Sequence, residues 1–290
     1  MELITTFKEG MNDLKKYKSI VVGIEHFSVG QDSAFSIIQL EKIVNKSKET
    51  NTKIYVLVNK MIFDNEIDLL TKTLQTLKDL EIDGIYFSDM AVFMVARSLD
   101  LHNLLVYAPG MTIVNSQDVK EYLSLGIQAV ELANEITLEE KIEIAKNNPN
   151  QVGVVIAGYM LMSYSKRKAL SNYFKEIDKD VSLKDNFNLR LKEATRTGLM
   201  PVYEDNEGTY IYSEYILDSF EFIKQLQTAK FKYFRIDGIF LCNEMIDDLY
   251  VAYSSILNGI DNNYSKLIKE KYPQYIFDDI FYTTKTSEVK

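Results

Sequence analysis

The chain has 290 residues and a net charge of −9, with 46% hydrophobic and 26% charged residues, which suits a soluble globular protein with a large core. One cysteine, Cys242, excludes an intramolecular disulfide, a zinc ribbon and a four-cysteine iron–sulfur site. The acidic balance disfavours a free-standing nucleic-acid binder unless a local basic patch supplies the cations.

The N-terminal stretch MELITTFKEGMNDLKKYK alternates apolar and charged residues, so neither a secretory signal nor a membrane span is expected and the cytoplasm is the default location. Nearly all-apolar runs then recur at 19–24, 53–58, 83–89, 103–109, 129–132 and 151–158, as strands covered on both faces require. Segments of helical period lie between them. Ile67, Leu70, Leu74 and Leu77 share one face of a helix over 65–80. Thr137 with Glu140 three residues later has the spacing of a capping box.

Residues 175–198 are mostly polar and read as a surface linker. LMPVYEDNEGTYIYS follows as two short strands around a turn. A helix over 215–228, a strand over 233–238 and a helix over 244–258 resume the alternation, and 283–290 reads as a frayed tail. Counting the hairpin as a strand position, about eight β/α units are expected. This predicts one α/β domain over 1–290: a TIM-like (β/α)8 barrel, with irregularity allowed and a hairpin insertion in its C-terminal third.

The sequence contains no H-E-x-x-H, G-x-S-x-G, Walker or Rossmann signature. Candidate catalytic residues therefore come from strand ends, where a barrel places its active site: Glu25 and His26 after the first apolar run, Asn59, Asp89, and Glu135 near Glu131. Each also fits a helix cap or a loop hydrogen bond. His102 reads as solvent-facing. The stretch GYMLMSYSKRKALSNYF is placed as a loop over 159–165 leading into a helix from Lys166, so its cations are expected at the mouth. Lys166, Arg167, Ser163, Ser165, Tyr164 and Asn172 are candidates for anion or RNA binding, against the alternative of a solvated helix face.

That stretch resembles the signature of peptidase family U32, the collagenase-like proteases, and YEDNEGTYIYS and FRIDGIF resemble further blocks of it. The resemblance implies a TIM-like catalytic domain. Where the signature carries cysteines this chain has Leu161 and Lys168; Ala157 and Lys166 replace a His and a Gly, and Asn134 replaces an Arg, while Ser163, Ser165, Arg167, Ser171 and Asn172 are retained. The iron–sulfur cluster of several relatives is thus not expected, nor any other bound cofactor or metal. The resemblance points to the cysteine-poor branch that supports prephenate-dependent hydroxylation of the tRNA wobble uridine. It implies prephenate as a co-substrate, and tRNA and a second U32-family subunit as partners. A collagenase-like hydrolase and a non-catalytic scaffold are the alternatives.

Overall fold

The computed structural model describes residues 1–194, 196–260 and 262–285. Eight parallel strands form a closed ring: β1 (Glu2–Phe7), β2 (Ser19–Gly23), β3 (Lys53–Val58), β4 (Gly84–Phe87), β5 (Leu105–Tyr107), β6 (Ala129–Glu131), β7 (Val152–Ser165) and β11 (Tyr233–Ile236). Each pairs with the next, and β11 closes the ring by pairing with both β7 and β1. Between these strands run α1 (Ile37–Thr50), α2 (Ile67–Asp79), α3 (Met90–Ser98), α4 (Ser116–Ser124) and α5 (Leu138–Asn147). The expected TIM-like α/β barrel is the fold.

Period-2 alternation sorts the strand residues. Outward side chains such as Ile20, Val22, Val56, Val58 and Ile85 join the helices in one large core, while Ile4, Val21, Tyr55, Leu57, Tyr86, Val106, Ala129 and Tyr233 fill the barrel. Gly153 has a specific task there: a Cβ would stand 2.0 Å from the Tyr233 ring, so only glycine lets that ring lie across β7.

The eighth strand is the N-terminal β1 and not the hairpin. The run ELITTF is half polar, yet Thr5 and Thr6 are buried, and Thr6 bonds the Ile236 carbonyl and the Gly238 amide across the ring closure. Residues 159–165 are strand and not loop, because β7 continues past the barrel as a 14-residue strand. Its extension pairs with β10 (Gly208–Asp218), which pairs with β9 (Met200–Asp205), which pairs with β8 (Arg190–Leu191). The helix expected over 215–228 is also shorter. Its first residues finish β10, and α7 spans Ile223–Thr228. α6 (Ala169–Glu176) starts three residues later than expected, after Lys166, Arg167 and Lys168 have made a turn.

After the ring come α8 (Asn243–Leu257), α9 (Tyr264–Lys271), β12 (Phe277–Asp278), which pairs with β10, and α10 (Ile280–Thr283). Residues 286–290 of the expected tail lie outside the described residues. No helix among the described residues is long and apolar enough to cross a membrane.

Candidate functional site

The C-terminal strand ends carry the polar interior. Arg235 on β11 gives two parallel bonds of 2.8 Å to the two oxygens of Glu131 on β6, and a third of 2.8 Å to Asp237. The Tyr233 hydroxyl donates to Glu131 at 3.2 Å, and the guanidinium lies 5.7 Å from the Tyr86 ring centroid. Bidentate pairing of this kind fixes the plane of both groups. Beside it, Lys8 at the end of β1 donates to Asp32 at 2.6 Å and to the carbonyls of Gly238 and Leu241. Lys8 pairs with Asp32 and Arg235 is held between two carboxylates, while Arg190 of the arm lies with its guanidinium 5.7 Å from the Phe240 ring centroid at the mouth.

The β7–β10–β9 arm roofs this mouth. It leaves the ring at Gly158, whose φ of 128° and whose close approach to the Asp237 carbonyl, 2.4 Å from a notional Cβ, exclude a side chain. In an eight-strand ring β3 stands opposite β7, and the arm's tip reaches β3. Lys60, just past β3, bonds Glu66 at 2.6 Å and the tip residue Glu207 at 3.1 Å, and Lys166 bonds Glu207 at 2.8 Å. Lys166 also sits 4.5 Å over the Phe63 ring. Burial pushes the Glu207 carboxyl up, but Lys166 and Lys60 outweigh it and hold its pKa below the usual range. These four charges form a latch.

The two faces of the arm differ, again by alternation. Tyr203, Tyr210 and Tyr212 stack in a row; Tyr203 and Tyr212 meet Phe240 from the β11–α8 loop at 6.0 and 5.1 Å. Glu204 and Thr209 point the other way and hold α6. Glu204 accepts from the Leu170 and Ser171 amides and the Ser171 and Thr209 hydroxyls, and Thr209 accepts from the Ala169 amide. The N-terminal amides of this helix are thus capped by the chain's own carboxylate.

The predicted residues separate accordingly. Glu25 and His26 are exposed on the β2–α1 loop, with His26 at φ 68°, and neither has a side-chain bond among the described residues. Asn59 is structural: its amide brackets Val29 with bonds of 2.9 and 3.1 Å. Asp89 caps α3 at the Ala91 amide and ties the Ile62 amide. Glu135 is half-buried on the β6–α5 loop. These five lie on four separate loops and are not brought together.

Of the anion candidates, Lys166 and Tyr164 both reach Glu207, and Ser165 accepts from the Arg167 amide. Ser163 and Asn172 are exposed. The Arg167 side chain is exposed and has no partner among the described residues. The cations stand on the arm, beyond the rim where the loop reading put them. His102 is half-buried, 3.9 Å from Asp100 before β5, far from the mouth. Sequence reasoning missed Arg235, Asp237, Lys60, Glu204 and Glu207 as interacting groups. FRIDG and YEDNEG resemble family blocks, but which carboxylate each cation meets depends on strands far apart in sequence.

The model of peptidase family U32 matches residues 5–283. The chain belongs to peptidase family U32. It is 24% identical to tRNA hydroxylation protein P2 of Bacillus subtilis over 243 residues, covering 83% of this chain and 79% of that protein. It is 24% identical to tRNA hydroxylation protein P of Helicobacter pylori over 152 residues, 51% of this chain and 36% of that one. A collagenase of Porphyromonas gingivalis is 23% identical over 238 residues, 76% and 55% of the two chains. The chain therefore spans most of the Bacillus relative and about a third of the Helicobacter one.

The residues at the family's cysteine positions do not fit an iron–sulfur cluster. Leu161 packs against the core, Lys168 is exposed, and the one cysteine, the exposed Cys242, lies on a different element, at the start of α8. Among the described residues no group of three or more His, Cys, Asp or Glu could hold a metal ion.

Proposed function

We propose that this U32 protein is a cytoplasmic, iron–sulfur-free subunit supporting prephenate-dependent hydroxylation of the tRNA wobble uridine, acting with a second U32-family subunit. The observation that carries the reading is the match to the Bacillus tRNA hydroxylation protein P2 over four-fifths of both chains. A supporting role is favoured by the geometry. Inside the mouth Lys8 and Arg235 are paired with carboxylates, Lys166 is neutralised by Glu207, and the α6 amides are occupied by Glu204. The places best suited to a dianion such as prephenate are thus filled by the chain's own groups, and the paired subunit is the better holder of the co-substrate.

The hydrolase alternative is favoured by the collagenase match but has no counterpart in geometry, since no Ser or Cys side chain bonds a histidine among the described residues, as nucleophile activation would need. The test is mass spectrometry of tRNA nucleosides from cells lacking this gene: loss of the wobble hydroxyl supports the proposal, and full hydroxylation refutes it.

A further inference from the structure

Charge is unevenly distributed along this acidic chain. Residues 166–196 carry nine Lys and Arg against five Asp and Glu, a net of +4, so the other residues together carry −13. The arm's alternation decides where that charge goes. Its tyrosine face is turned to the mouth, and the Glu204 and Thr209 face, with α6 fastened on it, is turned away. Arg167, Lys168, Lys175 and Lys179 are exposed on and beside α6, with Glu176 and Asp178 among them, and none of the four cations has an ion-pair partner among the described residues; farther along, Phe187 and Arg190 turn to the mouth and pack on Phe240. Lys168, Asn172 and Lys175 fall at i, i+4 and i+7, one stripe of the helix. Tyr173 is 57% exposed beside them, a ring available for stacking.

We propose that this outward face of the roof, from Arg167 to Lys179, binds the phosphate backbone of tRNA. The identity of the partner rests on the hydroxylation reading above; the surface rests on the charge segregation. Unpaired lysines on a mobile stem neutralise phosphates without reading bases, and an exposed tyrosine adds a sequence-tolerant stacking platform. Lys166 is outside this surface because Glu207 holds it.

The experiment measures anisotropy of a labelled, unmodified tRNA transcript with the purified full chain across a salt series. Three proteins are compared: wild type; Arg167→Ala, Lys168→Ala, Lys175→Ala and Lys179→Ala combined; and a control with Lys42, Lys72, Lys120 and Lys146, exposed on α1, α2, α4 and α5, changed to Ala together. The arm variant should bind about tenfold or more weakly at 100 mM salt, with a slope of log affinity against log salt shallower by about 3, while the control keeps most of the affinity and slope. Unchanged melting temperatures show that both variants fold. Equal loss in both variants, or wild-type protein that does not bind tRNA at low salt, overturns the proposal. Binding through the arm in a protein whose deletion leaves the wobble hydroxyl intact would retain this surface and discard the hydroxylation reading.

Discussion

Arg235 and Glu131, 104 residues apart in sequence, meet inside the barrel through two bonds of 2.8 Å, with Glu131 only 3% exposed. Breaking one side of such a pair leaves a buried charge without compensation. Arg235→Met should lower unfolding free energy by about 3 to 5 kcal/mol, and adding Glu131→Gln should recover much of that loss. Urea denaturation of the two single variants and the double variant checks it; additive losses would mean the pair is not a unit.

The latch predicts where the molecule opens. Lys60→Met removes both the Glu66 and the Glu207 bonds, each a charge-assisted contact. A net loss of roughly 1.5 kcal/mol should follow. Hydrogen exchange should then speed up about tenfold at the hairpin tip around residues 203–211 and stay unchanged in β2 to β5. Uniform acceleration throughout the barrel would contradict a local latch.

Glu204 predicts an acid-sensitive arm. Burial raises its pKa, but the Ser171 and Thr209 hydroxyls and the Ser171 and Leu170 amides outweigh burial and hold it below the usual range. A carboxylate depressed in the folded state stabilises above its unfolded pKa, about 4.3, and that contribution is lost as pH falls through the folded value. Wild type should therefore exceed Glu204→Gln by roughly 1 to 2 kcal/mol at pH 6, and the gap should close as pH falls below 4. A gap independent of pH would mean that the carboxylate charge is not what holds α6.

Lys141 behaves oppositely. It is fully buried, donates to the carbonyls of Asn134 and Ile136, and stands 5.1 Å over the Tyr282 ring. Burial pushes its pKa down to about 7, against the weaker upward pull of Glu140 and Glu135. The unfolded lysine stays protonated to about pH 10.4, so the unfolded state binds more protons between those values and stability should rise with pH from 7 towards 10. Lys141→Met should flatten that rise in urea midpoints; an unchanged slope would place its origin elsewhere.

The barrel was legible because parallel strands buried on both faces leave continuous apolar runs such as KIYVLV, and because Thr137 and Glu140 mark a helix start without reference to anything distant. β1 was missed for the same reason in reverse: Thr5 and Thr6 are buried, but their hydroxyls make ELITTF look amphipathic. The arm was misread as a loop because SYS gives no strand signal by itself. Ser163, Tyr164 and Ser165 are strand because Ile211, Tyr210 and Thr209 lie opposite them. The candidate site was legible only as separate residues. Asn59 and Asp89 look like rim groups until their bonds to Val29, Ala91 and Ile62 are seen, and Glu204 has no local feature that announces Ser171 as its partner.

The central claim is tested most directly by tRNA nucleosides from a strain deleted for this gene, measured with and without a plasmid-borne copy. The account predicts that the hydroxylated wobble uridine disappears on deletion, with the unhydroxylated uridine in its place, and returns with the wild-type copy. Wobble uridine fully hydroxylated in the deletion strain would contradict it.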